Sequence, residues 1–250
     1  MAYKKAPLSE VIFGFTYKSR MFSDDELFLM NNLFSEEFPI VEIVAPLIIE
    51  DLRNFQLFPI INPTLTGTTL YRRRTPERNW LLQMQGNAIY LNWIRQDSAP
   101  VGNYIGYNAI FDKFLKIIEA IENLLHKSLK ENIYLLDLTY QDRINWQTYK
   151  TDLNSVSEIM NIQAPPIVSD SIYNNIFSKY TQKKDSLNGF GIININTATS
   201  MTGNQVFRIE TIYRGHPLTT DIKTWFDTAH NEQTDFFTSL FKETVLDSWR

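Results

Sequence analysis

The densest cluster of chemically capable side chains is the run Arg72-Arg73-Arg74, followed by Arg78. Side chains alternate along a strand, so Arg72 and Arg74 would share one face and Arg73 would point to the other. Arg78 could join that pair across a hairpin. Because guanidinium groups bind oxyanions through two parallel hydrogen bonds, the cluster could hold an anion or an acidic partner. The alternative is a solvated run of charges paired with Glu77 and other acids.

Three aromatic residues, Trp80, Tyr90 and Trp93, lie close to these arginines on predicted neighbouring strands. Aromatic side chains on an open sheet can stack on nucleic-acid bases, each worth about 1–3 kcal/mol. Strand aromatics more commonly pack against cross-strand neighbours, and the net charge of the chain is -4. Nucleic-acid binding is therefore possible here but not favoured.

The remaining reactive residue types show no catalytic or metal-binding spacing. The three histidines, His126, His216 and His230, are isolated, and the chain has no cysteine. His126, late in a predicted helix, is typical of a polar cap, and His230 could form a charged pair with Asp227. Nucleophile-elbow, dinucleotide-binding and P-loop motifs are all missing from the sequence. We therefore predict no enzymatic activity, no cofactor and no metal.

Composition points to a packed protein rather than a disordered one. The 250 residues are 44% hydrophobic and 14% aromatic, which is ample for a core. The segment Met1-Ala-Tyr-Lys-Lys precedes no apolar run, so the sequence predicts a cytoplasmic protein. The longest apolar stretch, residues 38–49, is shorter than the roughly 20 residues that span a bilayer, and no membrane association is predicted.

The first half of the chain predicts a strand, a helix, an antiparallel meander and a long helix. Val11–Tyr17 alternates as a strand, and Ser23-Asp-Asp-Glu26 has the capping-box pattern of a helix start. Leu27, Phe28, Leu33 and Phe34 would form the apolar stripe of that helix. A loop is predicted at Asp51–Thr66, and the other predicted elements are strands at Pro39–Ile49, Gly67–Arg74, Asn79–Gln85 and Ala88–Arg95 and an amphipathic helix at Asn108–Leu129.

The same order recurs in the second half. The predicted elements are a strand at Ile133–Tyr140, a short helix at Leu153–Met160, strands at Ser169–Tyr180, Gly189–Thr199 and Gln205–Arg214, and a long helix at Asp221–Leu246. The sequence thus predicts an α+β fold of two β-α-β-β-β-α halves, residues 1–131 and 132–250, packed as one globular unit. Each half would be an antiparallel sheet closed by its own long amphipathic helix, as in helix-grip or TATA-binding-protein-like folds.

Four stretches together resemble a sporadically distributed bacterial protein family of about this length, with no assigned activity. They are Pro7-Leu-Ser-Glu-Val-Ile12, Trp80-Leu-Leu-Gln-Met-Gln85 with Leu91-Asn-Trp93, Ile133-Tyr-Leu-Leu-Asp-Leu-Thr-Tyr140, and Trp225-Phe-Asp-Thr-Ala-His230. The chain departs from the family at the third stretch, where Leu136 and Gln141 stand in place of an expected arginine and asparagine. The patchy distribution of the family resembles that of mobile defence and toxin–antitoxin genes.

These observations favour a non-enzymatic binding or adaptor protein, acting through a protein partner or as a homo-oligomer in a bacterial defence or toxin–antitoxin operon. Two alternatives stay open. One is small-molecule binding in a helix-grip cleft lined by packed aromatic residues. The other is nucleic-acid binding on the first-half sheet, from Arg72 to Trp93.

Overall fold

In the computed structural model, residues 7–47, 69–96, 104–145, 160–161, 177–199, 205–217 and 221–250 are described, and their strands form one antiparallel sheet of nine. The strands are β1 Leu8–Tyr17, β2 Ile40–Val44, β3 Leu70–Arg74, β4 Trp80–Gln85, β5 Ala88–Ile94, β6 Ile133–Asn145, β7 Phe177–Lys184, β8 Gly189–Thr199 and β9 Gln205–Gly215. The α-helices within the same ranges are α1 Asp24–Leu33, α2 Tyr107–Leu125, α3 Ile222–Leu240 and α4 Glu243–Trp249. The order across the sheet is β2-β3-β4-β5-β1-β6-β9-β8-β7.

Strands β1 and β6, which begin the two predicted halves, lie side by side in this sheet. Phe13 pairs with Leu138 and Val11 with Tyr140, while the other edge of β1 pairs with β5. Unpaired, each strand would leave a row of backbone N–H and C=O groups without partners, and their pairing satisfies both rows.

This pairing corrects the predicted fold. The prediction of two helix-grip-like or TATA-binding-protein-like halves, each an antiparallel sheet closed by its own helix, is wrong, because the strands of both halves belong to one open sheet. The α+β class is confirmed, since one sheet of antiparallel strands packs against separate helices. The boundary between residues 131 and 132 stays a prediction.

The ring of Phe13 on β1 lies where the sheet meets both long helices. Its centroid lies 5.7 Å from that of Phe111 and 5.9 Å from that of Phe114, both on α2. It also lies 5.1 Å from the ring of Phe226 on α3. Phe13 is fully buried. Because one residue contacts both helices, α2 and α3 share a single core over the middle of the sheet.

A second apolar cluster explains why the C-terminal helix is broken. Phe241 leaves the helix in an extended conformation, forms an isolated β-bridge with Met160, and packs edge-on against Trp249 with 4.9 Å between ring centroids. Lys242 then caps a new helix, α4. The single helix predicted at Asp221–Leu246 is therefore two helices, whose apolar residues cover Phe207 at this end of the sheet.

The starts and ends of the other helices follow local rules. In α1 the capping box forms as predicted: Glu26 N donates to Ser23 Oγ at 3.2 Å, and Ser23 N donates to Glu26 Oε2 at 2.9 Å. The predicted stripe of α1 is only half correct, because Phe28 and Leu33 are exposed. Helix α2 ends early, at His126, whose left-handed conformation (φ 52°) lets its N–H reach the carbonyl of Glu122.

Several predicted elements fall partly or wholly outside the described residues. These are the loop at Asp51–Thr66, the helix at Leu153–Met160 apart from Met160, the first part of the strand at Ser169–Tyr180, the last two residues of the strand at Pro39–Ile49 and the first two of the strand at Gly67–Arg74. Strand β6 runs five residues past its predicted end at Tyr140. Among the helices described above, none combines the length and the apolar character that crossing a membrane requires.

Replacing Phe13 by alanine should lower the free energy of unfolding by about 3–5 kcal/mol, since it would leave a cavity between β1 and both helices. Urea denaturation followed by circular dichroism measures this loss. Phe28→Ala is the matched control, because Phe28 is 56% exposed and its loss should cost less than about 0.5 kcal/mol. Equal effects of the two substitutions would contradict a shared core centred on Phe13.

Candidate functional site

A cavity of about 1030 Å³ lies beside this core, between the start of α2, the middle of α3 and the end of β6. Most of its wall is polar or aromatic. The side chains that argue for a site are Leu8, Tyr104, Tyr107, Tyr140, Asp142, Lys223, Asp227, His230, Gln233 and Phe237. They come from both predicted halves of the chain and meet because β1 pairs with β6 and both helices cover that pair.

Helix α2 begins at this cavity without a side-chain cap. Its N-cap is Gly106, which has a φ of 94° and no side chain to accept a helical N–H. Residues 106–109 line the cavity. The first N–H groups of a helix have no acceptor within the helix, and the helix dipole is positive at this end. This wall therefore favours a negatively charged group.

Tyr107 of α2 connects this wall to α3. Its hydroxyl donates to Asp227 Oδ1 at 3.0 Å, and Lys223 Nζ donates to Asp227 Oδ2 at 2.6 Å. Burial raises the pKa of the Tyr107 phenol, and the hydrogen bond to the Asp227 carboxylate raises it further. The charge of Asp227 is thus balanced by Lys223 within the same wall.

His230 occupies the centre of the wall formed by α3. Its ring stacks on Tyr107 with 4.2 Å between centroids and 4° between planes, and its Nδ1 lies 2.8 Å from the Tyr140 hydroxyl. Burial lowers the pKa of His230 against the opposing effect of Asp227, so a neutral imidazole is favoured. The predicted charged pair with Asp227 is replaced by the hydrogen bond to Tyr140.

Asp142 is a carboxyl group buried in the cavity wall, with 2% of its surface exposed. Burial raises its pKa to about 7, although the positive charge of Arg95 acts in the opposite direction. The charged form of a buried carboxyl is costly unless a cation or a hydrogen-bond donor accompanies it. A donor brought by a ligand would offset that cost.

Gln233 of α3 is a second buried polar group in the same cavity. It is 5% exposed, and its Oε1 has no hydrogen-bond donor among the residues that the structure describes. A buried acceptor without a donor costs about 1–3 kcal/mol, and each such group in a folded protein needs an explanation. A ligand N–H or O–H group would supply the missing donor.

None of the arginines of the predicted cluster lines this cavity. Arg73 points to the helix-covered face and is buried, with Nε donating to Asn31 Oδ1 at 2.7 Å and NH1 donating to the carbonyl of Phe38 at 2.6 Å. Burial lowers the pKa of Arg73. Its bonds join α1 to the sheet, so they give Arg73 a structural role.

The other arginines lie on the opposite face or in the turn. Arg72 and Arg74 flank one carboxylate, with Arg72 NH1 3.4 Å and Arg74 Nε 3.8 Å from Glu42 on β2. Arg78 forms the left-handed corner of the β3–β4 turn, with a φ of 58°. The acid that pairs with Arg72 and Arg74 is therefore Glu42 on β2, rather than Glu77 as the sequence suggested.

The predicted aromatic residues are divided between the two faces of the sheet. Trp80 and Trp93 are cross-strand partners on the helix side, and the ring of Trp80 is covered by Lys113 Nζ at 5.0 Å from its centroid. Tyr90 lies on the other face, above Gly14, where an added Cβ would come within 2.2 Å of the Tyr90 ring. The three residues therefore present no common stacking surface.

One predicted residue does contribute to the cavity, indirectly. Trp93 is 3% exposed and packs edge-on against Tyr104, with 5.3 Å between ring centroids. Tyr104 lines the cavity, so Trp93 supports its wall.

Sequence reasoning missed Asp142 and Gln233. Gln233 left a signal, because it stands at a position of α3 that follows Phe226 and Ala229 at helical spacing and should be apolar. Asp142 gave no such signal in the sequence, since a charged residue after Tyr140 is typical of a strand end. Within the described part of the chain, no group of three or more histidine, aspartate and glutamate side chains converges as a metal site.

Removing the Asp142 charge should change how stability depends on pH. The folded protein holds this proton up to a pKa of about 7, against about 3.9 for an unfolded chain. Wild-type stability should therefore fall as pH rises from 5 to 8, by roughly 2–3 kcal/mol more than that of Asp142→Asn. Urea denaturation at both pH values measures the difference.

Glu36→Gln, which alters an exposed carboxylate, is the control for this experiment and should follow the wild-type pH dependence. An Asp142→Asn variant with the same pH dependence as the wild type would contradict the burial of an ionisable group at this position.

Comparison with known proteins adds no functional residue to this cavity. No family model matches the chain, and no curated protein matches its sequence. The resemblance to a sporadically distributed bacterial family therefore stays a prediction, and function has to be argued from the chemistry of the cavity.

Proposed function

We propose that this protein binds a small polar molecule in the cavity between α2, α3 and β6. The observation that carries the proposal is that Gln233 lines this cavity and that its buried Oε1 has no donor among the described residues. Asp142 adds a buried carboxyl in the same wall. The volume of about 1030 Å³ matches the upper end of the range of roughly 300–1,000 Å³ that is typical of ligand sites.

The aromatic residues of the cavity favour a ligand that forms hydrogen bonds. The ring face of Tyr107 is covered by His230, and Tyr140 is buried with its hydroxyl at His230 Nδ1. The hydroxyl groups are bonded within the fold and the ring faces are covered, so these residues offer little surface to a flat apolar ligand. A ligand held by hydrogen bonds to other groups of the wall fits better.

The position of the proposed ligand differs from the predicted helix-grip cleft. Between the sheet and the middle of α2, the space is filled by the rings of Phe13, Phe111, Phe114 and Phe226. The proposed ligand therefore lies at the first turn of α2 rather than beneath the helix.

Filling the cavity should abolish binding without unfolding the protein. Ala109 is exposed on the first turn of α2 and lines the cavity, so Ala109→Trp would place an indole in the ligand space. We expect native mass spectrometry of the wild-type protein, incubated with a defined set of amino acids, short peptides, nucleosides and organic acids, to show a 1:1 adduct. The Ala109→Trp protein should lose that adduct.

Lys116→Trp, on an exposed position of the same helix, is the matched control and should keep the adduct. Thermal melting of both variants checks that they fold. No adduct with any compound in the wild-type protein, or an adduct that survives Ala109→Trp, would refute binding in this cavity.

A second function, self-association, is supported by an exposed apolar surface. On α1 the side chains of Phe28, Leu29 and Leu33 are exposed, and Val41 and Ile43 are exposed on β2, with Ile43 at 65%. Arg73, the cross-strand neighbour of Val41, bonds Asn31 of α1, which brings the helix and the strand together. Exposed apolar side chains are candidates for an interaction site where they lie together.

Self-association through this surface should depend on its apolar side chains. The double substitution Phe28→Ser and Ile43→Ser should convert a wild-type dimer to a monomer in light scattering coupled to gel filtration. Tyr180→Ser, which alters an exposed residue on β7, should leave the dimer intact. A wild-type protein that remains monomeric at about 100 μM would refute self-association.

The structure leaves three further predictions unchanged. A cytoplasmic location, a protein partner within a bacterial defence or toxin–antitoxin operon, and the anion-binding role of Arg72, Arg74 and Arg78 all stay predictions. Nucleic-acid binding is less favoured, because Trp93 and Tyr90 are buried and base stacking needs exposed aromatic faces.

A further inference from the structure

The lining of the cavity combines buried hydrogen-bond acceptors with the uncapped first turn of a helix. We propose that its ligand is a zwitterion, with an ammonium group bound by Asp142 and Gln233 and an anionic group bound at the first turn of α2. This inference rests on the proposed function of the cavity, and it names the class of molecule that the cavity takes.

The end of the cavity at β6 offers acceptors. Gln233 Oε1 is buried without a donor among the described residues, and Asp142 is buried in the same wall. Both groups accept hydrogen bonds when Asp142 is ionised, so the ligand has to donate. An ammonium group is the natural partner, since it carries three donors and a charge opposite to that of the carboxylate.

The end of the cavity at α2 offers donors. Gly106 provides no side-chain cap, and residues 106–109 line the cavity. The N–H groups of a first turn, together with the helix dipole, favour a carboxylate or a phosphate. Lys223 adds a positive charge to this end, although Asp227 shares it.

Helix α3 sets the distance between the two ends. Asp227 bonds Tyr107 at the start of α2, and Gln233 follows six residues later. At 1.5 Å per residue, these positions are about 9 Å apart along the helix. The ammonium and carboxylate of one α-amino acid are too close together to reach both ends, whereas those of an ω-amino acid or a dipeptide are far enough apart.

Ionisation of Asp142 should make ammonium binding depend on pH. The charged and titratable groups of the surrounding elements are Arg95 after β5, Tyr104 and Tyr107 at the start of α2, Tyr140 on β6, and Lys223, Asp227 and His230 on α3. Burial holds the pKa of Asp142 at about 7, and an alkylammonium stays charged well above that value. Affinity for an ammonium probe should therefore rise between pH 5.5 and pH 8.

Three probes of the same chain length distinguish binding at the two ends of the cavity. 6-Aminohexanoate carries both charged groups, hexylamine only the ammonium, and hexanoate only the carboxylate. By isothermal titration calorimetry at pH 8, 6-aminohexanoate should bind at least about tenfold more tightly than either single-ended probe, since each lost charged hydrogen bond lowers affinity by about that factor. Equal affinities of the three probes would overturn the inference.

Substitutions at Gln233 test the ammonium end. Gln233→Leu removes the acceptor at similar size and should weaken 6-aminohexanoate and hexylamine about tenfold while leaving hexanoate unchanged. Gln233→Glu keeps an acceptor and should retain the preference for an ammonium. Thermal melting checks the fold of each variant, and a uniform loss across all three probes in Gln233→Leu would contradict a direct contact with the ammonium.

The result can be told apart from failure of the proposed function. Adducts in the native mass spectrometry set that are lost in Ala109→Trp, together with no preference for 6-aminohexanoate, would overturn the zwitterion and leave binding in the cavity intact. Absence of both would overturn the two proposals together.

Discussion

The pairing of β1 with β6 is the constraint on which the rest of the structure depends. It joins strands 125 positions apart in sequence, as in the contact of Phe13 with Leu138, and it merges two sets of strands into one sheet. Both long helices then have to cover the same central strands, so they pack against each other through Phe111 and Phe226, with 5.4 Å between ring centroids. The cavity arises beside that contact, where Tyr107 of α2 meets His230 of α3.

Local patterns predicted most elements of this fold, because they depend on neighbouring residues. Alternation of apolar residues predicted β1, and the capping box at Ser23 predicted the start of α1. The pairing of β1 with β6 was not predicted, because the sequence of neither strand indicates which strand pairs with its free edge. The exposed side of α1 was missed for a similar reason: Asn31 turns inward to meet Arg73, which rotates Phe28 toward solvent.

The candidate site was hard to predict because it is assembled from distant residues. The arginine run drew attention by its local density, yet Arg73 joins α1 to the sheet and Arg72 and Arg74 flank Glu42. The cavity instead takes its polar groups from three elements, α2, β6 and α3. His230 and Asp227 were noticed in the sequence as a pair, but their true partners, Tyr140 and Tyr107, lie about 90 and 120 residues away.

Two buried aspartates of β6 show why the cavity stands out from the other polar parts of the molecule. Asp137 and Asp142 are equally buried, at 2% exposure each. Asp137 accepts from Arg214 Nε of β9 at 2.7 Å and from Thr139 Oγ1 of its own strand at 2.9 Å, so groups of the sheet satisfy it within the fold. Asp142 lines the cavity, as does Gln233, whose Oε1 is buried without a donor among the described residues. The first arrangement stabilises the sheet, whereas the second leaves buried polar groups in the wall of a space that a ligand could fill. That difference, rather than the local density of charge in the sequence, is the physical ground for proposing a function at the cavity.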